Sequence, residues 1–426
     1  MTRYGFLIDQ DTCIGCHACT VACKSEHSVP LGVNRTWLKY VEKGKYPDTR
    51  RYFSVLRCNH CDAAPCVTIC PTGALFRRPD GIVDFDTSAC IGCKSCMNAC
   101  PYDAIYIDPD EHTAQKCNYC AHRIEVGLEP ACVIVCPTQS IVAGDLDDPG
   151  TRIARMLARH DVHVRAPEQG TRPKLFYKGS DSASLVPTST AIAADGMIWA
   201  ETTPSHPTVP DGAAHGGAAA AGPAREVDAR TAYTTAHPMA WRGMVSAYLV
   251  TKSMAAGALM VAALLVLLGH AGRQAAVGVL PPVLAGAFTA LTGALLVADL
   301  KQPRRFHYLL TRPNWTSWLT RGAVILGLYA AVQAAWFVAG LAGAGGAVKA
   351  LAGPGLVLGA ATAGDTAYLF GQCEGRDFWQ TPVLLPILLA QAVVAGASLF
   401  LVADLFMAVP EVEALRWALL AGVAAV

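Results

Sequence analysis

The chain has 426 residues, 53% of them apolar, and a formal net charge of +1. This length is enough for two or three domains, and the near-zero charge gives no sign of a nucleic acid or another polyanionic partner. Residues 1–180 contain sixteen of the seventeen cysteines, whereas residues 243–426 are rich in Ala, Leu, Val and Gly. The composition therefore predicts a soluble cysteine-rich part joined to a membrane part.

The first residues are not expected to act as an export signal. The first ten positions lack both an apolar stretch of signal-peptide length and a pair of arginines, and the first cysteine is already at position 13. In a reducing cytosol, clustered thiols are metal ligands more often than they are disulfides. The cysteine-rich part is therefore expected to bind metal.

The sixteen cysteines form four groups of four, and each group starts with C-x2-C and ends with C-x3-C. Three thiolates two residues apart suit one iron–sulfur cubane, and a fourth followed by proline reaches the second cluster of a pair. Thiolates are soft ligands and match iron and sulfur. The groups are Cys13, Cys16, Cys19 and Cys23; Cys58, Cys61, Cys66 and Cys70; Cys90, Cys93, Cys96 and Cys100; and Cys117, Cys120, Cys132 and Cys136.

Zinc is the main alternative to iron–sulfur clusters, because C-x2-C pairs commonly bind zinc. A zinc site rarely shows C-x2-C-x2-C-x3-C followed by proline, so the complete groups favour iron–sulfur clusters. Gly15 and Gly92 lie between the first two cysteines of their groups. They are expected to let backbone N–H groups approach the inorganic sulfurs.

Short β-like runs separate the cysteine groups at 81–85 and 104–107, and a helix-like stretch follows at 151–159. Prolines and an Ala/Gly-rich run then fill 181–240, a composition that cannot bury a core. The sequence thus predicts an iron–sulfur domain at 1–180, a flexible linker at 181–240 and a membrane anchor at 241–426.

Apolar stretches long enough to cross a bilayer recur in the last part of the chain. Five in succession are unusual for the buried helices of a soluble protein. A sixth run, from Leu415 to Val426, is short for a span, so truncation is expected there. The predicted fold is an α+β ferredoxin-like iron–sulfur domain followed by an all-α polytopic transmembrane helical bundle. The predicted spans lie near 244–269, 275–300, 316–343, 351–372 and 381–408.

The cysteine-rich part resembles the four-cluster ferredoxin-like electron-transfer subunits of molybdopterin oxidoreductases, of the dimethyl sulfoxide and polysulfide reductase type. Besides the cysteine groups, the resemblance rests on 65–74, 144–149 and 173–178. It implies that groups one and four share two clusters and that groups two and three share two more, which makes four 4Fe–4S clusters. The implied ligand sets are Cys13, Cys16, Cys19 and Cys136; Cys23, Cys117, Cys120 and Cys132; Cys58, Cys61, Cys66 and Cys100; and Cys70, Cys90, Cys93 and Cys96.

The membrane part resembles the NrfD/PsrC-type anchors of nitrite and polysulfide reductases over about 235–410. The matches are Trp241, 255–257, the loop 299–322 and 368–379. That family is a membrane helical bundle that binds quinone near its iron–sulfur subunit, so a quinone or menaquinone site is implied. The family usually has at least eight spans, which supports a truncated or shortened version here.

Ionisable residues inside a membrane are functional candidates by default. Arginine and histidine in the basic loop 301–321 can donate hydrogen bonds to a quinone carbonyl. The alternative for this loop is contact with phospholipid headgroups, with Trp315 and Trp318 as interfacial anchors. The candidates for quinone or proton handling are Lys252, Asp299, Arg305, His307, Arg321, Asp365 and Tyr368. The alternative is a structural role, such as a side chain that snorkels to the interface or an ion pair between helices.

The charge of the loops predicts the orientation. Loop 301–321 carries five Lys or Arg residues and no acid, whereas Arg273 and His270 are the basic residues between the first two spans. The positive-inside rule then places loop 301–321, and the clusters on the same side, at the cytoplasmic face of the bacterial inner membrane. Many relatives keep this module outside, so the periplasmic face is the alternative.

The combined prediction is an electron-transfer and membrane-anchor subunit. It would pass electrons between a membrane quinone pool and a partner catalytic subunit, which the resemblance implies is a molybdopterin enzyme. One alternative is a ferredoxin-like carrier that has no quinone site of its own and is coupled to an ion-translocating complex; Lys252 and Asp365 would then belong to a proton path. The other alternative is a scaffold that is stabilised by zinc and assembles partners. No catalytic residue is predicted, and Cys373 is expected to be a buried small apolar residue.

Overall fold

A computed structural model of the chain describes residues 2–192, 229–238, 240–269, 278–406 and 412–425. The chain forms two compact units. The first comprises Met1–Ala64, Leu75–Thr87 and Cys100–Pro238, and the second comprises Pro65–Ala74, Ser88–Ala99 and Met239–Val426. Two short segments of the cysteine-rich part therefore belong with the membrane helices, which the predicted boundary at residue 180 does not capture.

Short strands and short helices alternate in the cysteine-rich part. The strands are β1 Tyr4–Asp9, β2 Thr36–Lys45, β3 Asp48–Arg57, β4 Leu75–Arg77, β5 Val83–Phe85, β6 Ile105–Ile107, β7 Ala114–Lys116, β8 Ile141–Asp145, β9 Val162–His163, β10 Leu175–Lys178, β11 Ala191–Ile192 and β12 Ala229–Tyr233. The helices are α1 Ala18–Glu26, α2 Pro65–Ile69, α3 Ser95–Ala99, α4 Ala121–Ile124, α5 Ala131–Ile134, α6 Arg152–Arg159 and α7 Ser182–Leu185.

The first unit contains two four-stranded sheets and two hairpins among its described residues. One sheet has the order β8-β1-β10-β9, with β1 parallel to β10 and antiparallel to β8. The other has the order β11-β12-β2-β3, in which β2 and β3 form a long antiparallel hairpin. The pairs β4–β5 and β6–β7 are separate hairpins, so the β-like runs predicted at 81–85 and 104–107 are confirmed.

Strand β1 and helix α6 show how the apolar sequence forms the core of this unit. Phe6, Leu7 and Ile8 are nearly inaccessible to solvent, and Leu7 packs with Val142 of β8 and Ile153 of α6. The hydroxyl of Thr151 caps α6 by accepting a hydrogen bond of 3.3 Å from the backbone N–H of Ala154. The helix predicted at 151–159 is thereby confirmed.

Two short strands lie inside the range predicted as a linker. Strand β12 pairs antiparallel with β2, and β11 pairs parallel with β12. Thr231 is buried in this sheet, and Ala229 packs with Val41 and Ala183. The prediction of a flexible linker across all of 181–240 is therefore too wide at both ends, while 193–228 lies outside the described residues.

The second unit is built from long apolar helices. Five of those described are long and apolar enough to cross a membrane, which matches the five predicted spans. The last helix has 14 residues, short of a full crossing. The helices are α8 Gly243–Leu267, α9 Leu280–Asp299, α10 Tyr308–Thr311, α11 Trp318–Leu341, α12 Gly345–Gly371, α13 Leu384–Asp404 and α14 Val412–Ala425.

Helix α8 lies at the centre of this bundle. It is the most buried of the five long helices, and α9, α12 and α13 all pack against it. At Gly257 a Cβ would overlap the backbone oxygen of Ala392 and would come within 2.7 Å of the backbone nitrogen of Gly396. Small residues thus allow the backbones of α8 and α13 to touch, as is common between membrane helices.

Candidate functional site

Four thiols gather at one pocket of the first unit. Cys13, Cys16 and Cys19 come from the first group, at the start of α1, and Cys136 closes the fourth group after α5. All four line this pocket. Burial raises the pKa of Cys19 to about 12; Arg57 partly offsets this effect, and the thiols of Cys132, Cys13 and Cys136 add to it. The arrangement matches the first ligand set implied by the resemblance.

A second set of thiols is buried deeper in the same unit. Cys23, Cys117, Cys120 and Cys132 are each at most 7% exposed. Burial, together with the neighbouring thiols of Cys132 and Cys23, raises the pKa of Cys120 to about 11. The structure thus brings the last cysteine of the first group to the first three of the fourth group.

A third set is represented in this unit by Cys58, Cys61 and Cys100. Burial, with Cys58 nearby, raises the pKa of Cys100 to about 12. Burial and the thiols of Cys58 and Cys100 also raise the pKa of Cys61. Cys66, the fourth member implied for this set, belongs to the second unit.

The fourth set lies wholly in the second unit, with the membrane helices. Cys70 follows α2, and Cys96 lies on α3. Burial raises the pKa of Cys93 to about 12, with Cys70 and Cys90 contributing after it. The same three thiols, after burial, raise the pKa of Cys96. These four side chains therefore share one site.

Each cysteine group begins with the same backbone turn. The second residue after the first cysteine has a positive φ in all four groups: Gly15 69°, His60 44°, Gly92 69° and Tyr119 64°. The N–H groups of His60, Gly92 and Tyr119 donate to the sulfur two residues earlier at 3.4–3.5 Å. Bonds of this kind to ligand sulfurs are typical of iron–sulfur sites.

The surroundings of a buried arginine indicate whether the cysteine sites can hold an anionic cluster. Arg57 is fully buried, donates from Nη1 to Cys132 Sγ at 2.9 Å and lies over the ring of Phe6. Its Nε and Nη2 have no hydrogen-bond partner among the described residues. A buried cation of this kind requires a compensating anion. A cluster held by four thiolates provides that charge, so the residues fit it.

The thiol spacing also bears on the zinc alternative. In the part of the chain that the structure describes, no three His, Cys, Asp or Glu side chains come close enough to hold one metal ion. The preference for iron–sulfur clusters over zinc rests on the cysteine spacing of the sequence.

Side chains of the membrane part bind the backbone of the fourth set. Asn314 Nδ2 donates to the carbonyl of Cys70 at 2.7 Å, and Trp241 Nε1 donates to that of Cys93 at 3.1 Å. Arg305 Nη1 donates to the carbonyl of Cys90 at 3.0 Å. Three cysteines of this set are thus held through their backbone carbonyls by groups that flank the membrane helices, and the guanidinium of Arg305 is one of these groups.

The loop after α9 also lies against the cysteine segment through its backbone. The N–H of Lys301 donates to Gly92 O at 3.2 Å, and the N–H of Gln302 donates to Ile91 O at 3.2 Å. A Cβ on Gly92 would lie 2.5 Å from Lys301 Cβ and 3.0 Å from its Cα. Glycine at this position is required both by its positive φ and by this close approach.

Asp299, predicted as a quinone candidate, forms an ion pair with the cysteine segment. Its Oδ1 lies 2.8 Å from Lys94 Nζ, and the two side chains are 17% and 10% exposed. Lys94 lies between Cys93 and Cys96 in sequence. Lys94, Arg57 and Asn314 were not among the residues predicted from the sequence. A charge directly beside a cysteine of a group is the signal that could have identified the first two.

Lys252 and Asp365 form a second ion pair, between α8 and α12. The ammonium group of Lys252 contacts Asp365 Oδ1 and donates to Thr366 Oγ1 at 3.0 Å. Both charged residues are buried, at 9% and 7% exposed. A Cβ on Gly322 of α11 would overlap Asp365 Oδ2, so the backbone of α11 packs directly against this carboxylate. Pairing between helices, one alternative for Asp365, is thus what the structure shows.

An aromatic stack lies on the two helices that pack at this pair. Tyr368, one turn after Asp365, stacks on Trp318 with ring centroids 4.3 Å apart, and the guanidinium of Arg321 lies over Trp318 at 5.0 Å. Lys252, Asp365, Tyr368 and Arg321 therefore lie on adjoining helices. His307 is exposed, and its Nδ1 lies 3.1 Å from the carbonyl oxygen of Arg304, so it does not join them.

A second aromatic group adjoins the fourth cysteine set. Phe370 and Trp379 stack with ring centroids 4.4 Å apart, and Trp241 lies against both. Arg376 Nε donates to Asn98 Oδ1 at 3.3 Å. Cys373 is fully buried, as predicted, and burial raises its pKa to about 12.

Comparisons with known families match both parts of the chain. Models of a 4Fe-4S dicluster domain match residues 12–75 and 49–146. A model described as polysulphide reductase, NrfD, matches residues 233–424. The two resemblances proposed from the sequence are therefore confirmed at the level of family.

Curated relatives match the cysteine-rich part. A tetrathionate reductase subunit of Salmonella typhimurium is 45% identical over 189 residues, which are 43% of this chain and 76% of the relative. Protein NrfC of Escherichia coli is 43% identical over 41% of this chain and 79% of its own length. A polysulfide reductase subunit of Wolinella succinogenes is 42% identical over 41% of this chain and 93% of its own length. The chain belongs to the family of iron–sulfur electron-transfer subunits that includes these proteins, and it joins such a subunit to an NrfD-type multi-pass membrane anchor in a single polypeptide.

Proposed function

We propose that this chain passes electrons between a membrane quinone pool and a partner catalytic subunit through four 4Fe–4S clusters. The proposal rests on three hydrogen bonds from the membrane part to backbone carbonyls of the fourth cysteine set. Asn314 donates to Cys70, Arg305 to Cys90 and Trp241 to Cys93. These bonds join one complete ligand set to the membrane part. When bound, such clusters accept and release single electrons.

The sixteen cysteines would hold these clusters in the four sets described above. Arg57 compensates the charge of the buried thiolates, and the turn residues His60, Gly92 and Tyr119 direct N–H groups at ligand sulfurs. Both features favour retention of a negatively charged group in a protein interior.

The first ligand set supports a docking site for the partner. Cys16 is exposed, whereas twelve of the other fifteen group cysteines are buried and three are partly buried. The apolar side chains of Ile14 and Val21 beside it are 57% and 64% exposed. Electrons can leave at this set over a short distance, and the apolar rim suits a protein surface. By analogy with the relatives named above, the partner is a reductase catalytic subunit, and we propose a molybdopterin enzyme.

The quinone head group is proposed to bind near Lys252, Asp365, Tyr368 and Arg321. Lys252 is nine residues from the start of α8, about 14 Å along the helix axis, and Asp365 is six residues from the end of α12. The start of α8 and the end of α12 both adjoin the fourth cysteine set, through Trp241 and Phe370. The charged pair therefore lies at the cluster-facing end of the bundle.

Quinone reduction takes up protons, and quinol oxidation releases them. The carboxylate of Asp365 and the phenol of Tyr368 are the groups here that can hold or pass a proton, and Arg321 can donate to a quinone carbonyl. Asp299 and Arg305 already bind the cysteine segment, so we assign them to holding that segment. Menaquinone is the proposed quinone class.

Loop 301–321 faces the fourth cysteine set through Lys301 and Gln302. Its five basic residues favour the cytoplasmic side, so we propose the cytoplasmic face of the bacterial inner membrane for this ligand set. This orientation is tested in spheroplasts with a membrane-impermeant maleimide and the variant His307→Cys. The introduced cysteine should stay unlabelled if loop 301–321 is cytoplasmic, whereas labelling from outside would assign the loop to the periplasmic face.

Electron paramagnetic resonance of the purified full chain tests the electron path. A reduced menaquinol analogue, added without oxygen, should increase the signals of reduced clusters, and an inhibitor of quinone sites should block the increase. Asp365→Asn and Tyr368→Phe should slow it at least tenfold, whereas Lys349→Gln, at the opposite end of α12, should not.

The reverse test uses clusters reduced beforehand and added quinone. Signal loss on adding quinone, without a response to quinol, means that the natural flow is towards quinone. No response in either direction contradicts a quinone site in this chain and favours the carrier coupled to an ion-translocating complex, for which the buried Lys252–Asp365 pair would serve as a proton path.

A further inference from the structure

The ion pair between Lys94 and Asp299 joins a ligand loop to the end of a membrane span. Lys94 lies directly after Cys93, and Asp299 is the last residue of α9. Their charged atoms are 2.8 Å apart, and little of either side chain reaches solvent. We propose that Lys94 and Asp299 act as a pair of positioning residues that set the reduction potential of the cluster held by Cys70, Cys90, Cys93 and Cys96.

The position of Asp299 supports a specific role for the pair. An acidic residue at the C-terminus of a helix is unfavourable, because the carbonyl end of the helix dipole is negative. No other Asp or Glu occurs in 299–321, whereas five Lys or Arg residues do. Asp299 is therefore the single acidic residue in a strongly basic stretch, and Lys94 is the cation that pairs with it.

The backbone around the pair holds Lys94 close to the ligands. Lys94 has a φ of 64°, in the left-handed region, and its carbonyl accepts a hydrogen bond from Met97 N–H at 3.1 Å. Gly92 lies against Lys301, the second residue after Asp299. The ligand loop and the segment that follows α9 are thus held to each other beside the ion pair.

Reduction adds one negative charge to the cluster. Lys94 stabilises the added charge and Asp299 opposes it, and both effects are strong because the pair is shielded from water. Removal of the two charges must therefore shift the potential in opposite directions. Lys94→Met should lower the midpoint potential, and Asp299→Asn should raise it.

The expected size of each shift is at least tenfold in the one-electron reduction equilibrium, about 59 mV. The double variant should lie between the two single variants. Lys94→Arg keeps the charge and should stay close to the unaltered protein. Lys349→Met, at the far end of α12, is the matched control and should cause no shift.

The experiment is a mediated redox titration of the full chain in detergent, followed by electron paramagnetic resonance. The signal of the fourth set is identified as the one lost in Cys96→Ser. Opposite shifts in Lys94→Met and Asp299→Asn support the proposal. Shifts of the same sign, or no shift in either variant, overturn it.

Loss of the cluster in Lys94→Met does not end the test, because Asp299→Asn is measured alone and must still raise the potential. If both variants lose the cluster while Lys94→Arg and Asp299→Glu retain it at an unchanged potential, the pair has a purely structural role and the proposal fails. The inference rests on the proposed cluster ligands and not on the quinone site. The titration uses soluble mediators, so a failed quinol test leaves its result intact.

Discussion

The indole Nε1 of Trp241 donates a hydrogen bond of 3.1 Å to the backbone carbonyl of Cys93. Trp241 lies two residues before α8, the most buried of the long helices, and its ring lies against Phe370 at the end of α12. One side chain thus connects a cysteine of the fourth set with two membrane helices. This contact explains in physical terms why residues 88–99 belong to the same compact unit as the membrane part.

Trp241→Phe should weaken this connection while keeping an aromatic ring beside Phe370 and Trp379. Loss of the N–H leaves the Cys93 carbonyl without this donor, which costs about 1–3 kcal/mol when the group is buried. A lower midpoint of thermal unfolding in detergent is expected, together with a broadened signal from the fourth cluster. Trp417→Phe, with a ring that is 66% exposed, is the control and should change neither. Equal effects of the two substitutions would argue against a role for this hydrogen bond.

Gly92→Ala should prevent the fourth cluster from forming. The added Cβ would lie 2.5 Å from Lys301 Cβ, and the residue would also have to keep a φ of 69°. Iron bound per chain should fall by about a quarter, because one of four clusters is lost. The measurement is iron content of the purified protein, with the spectrum as a second readout.

Gly73→Ala is the matched control for this change. Gly73 has a φ of 67°, but a Cβ there would meet nothing within 4 Å. It therefore carries the same left-handed strain, about 1–2 kcal/mol, without the steric overlap. Retention of full iron content in Gly73→Ala and its loss in Gly92→Ala would separate the two causes. Full iron content in Gly92→Ala would show that the loop at Lys301 can move away.

The sequence predicts the elements whose signal is local. Five apolar stretches give the long helices, because span length is a direct consequence of bilayer thickness. The cysteine spacing likewise gives the four groups, and the structure brings Cys136 to Cys13 as the family resemblance implies. Thr151 marks the start of α6, since a side-chain cap needs only neighbouring residues.

Contacts between distant parts of the chain could not be predicted in this way. Lys94 and Asp299 are 205 residues apart, and nothing in the spacing of either indicates the other. Strands β11 and β12 are two and five residues long, too short for a periodic pattern to mark them within 181–240. Their sheet forms because β2 offers a free edge, which is a property of the tertiary structure.

Arg57→Met should lower the reduction potential of a cluster in the first unit. The guanidinium is fully buried and interacts with Cys132, Cys117 and Cys19, so its charge favours the reduced state. A shift of at least tenfold in the reduction equilibrium, about 59 mV, is expected in a mediated titration. Arg51→Met, on the same strand but with a side chain that is 52% exposed, should cause no shift. An unchanged potential in Arg57→Met would mean that the charge acts on folding alone.

The Lys252–Asp365 pair should show strong coupling in a double-mutant cycle. Lys252→Met leaves a buried carboxylate without its cation, and Asp365→Asn leaves a buried ammonium without its anion. Each should cost about 3–5 kcal/mol, because an uncompensated charge stays in the bundle interior. The double variant removes both charges and should be less destabilised than the sum of the single variants.

The measurement for this cycle is thermal or denaturant unfolding of the full chain in one detergent, with the cluster spectrum checked in every variant. A coupling of several kcal/mol is expected, since the two charged groups are in contact and both are buried. Additive effects within about 0.5 kcal/mol would mean that water or lipid headgroups solvate each charge separately. That result would remove the buried pair from the proposed quinone region, because a solvated lysine and aspartate would have no reason to stay together between α8 and α12.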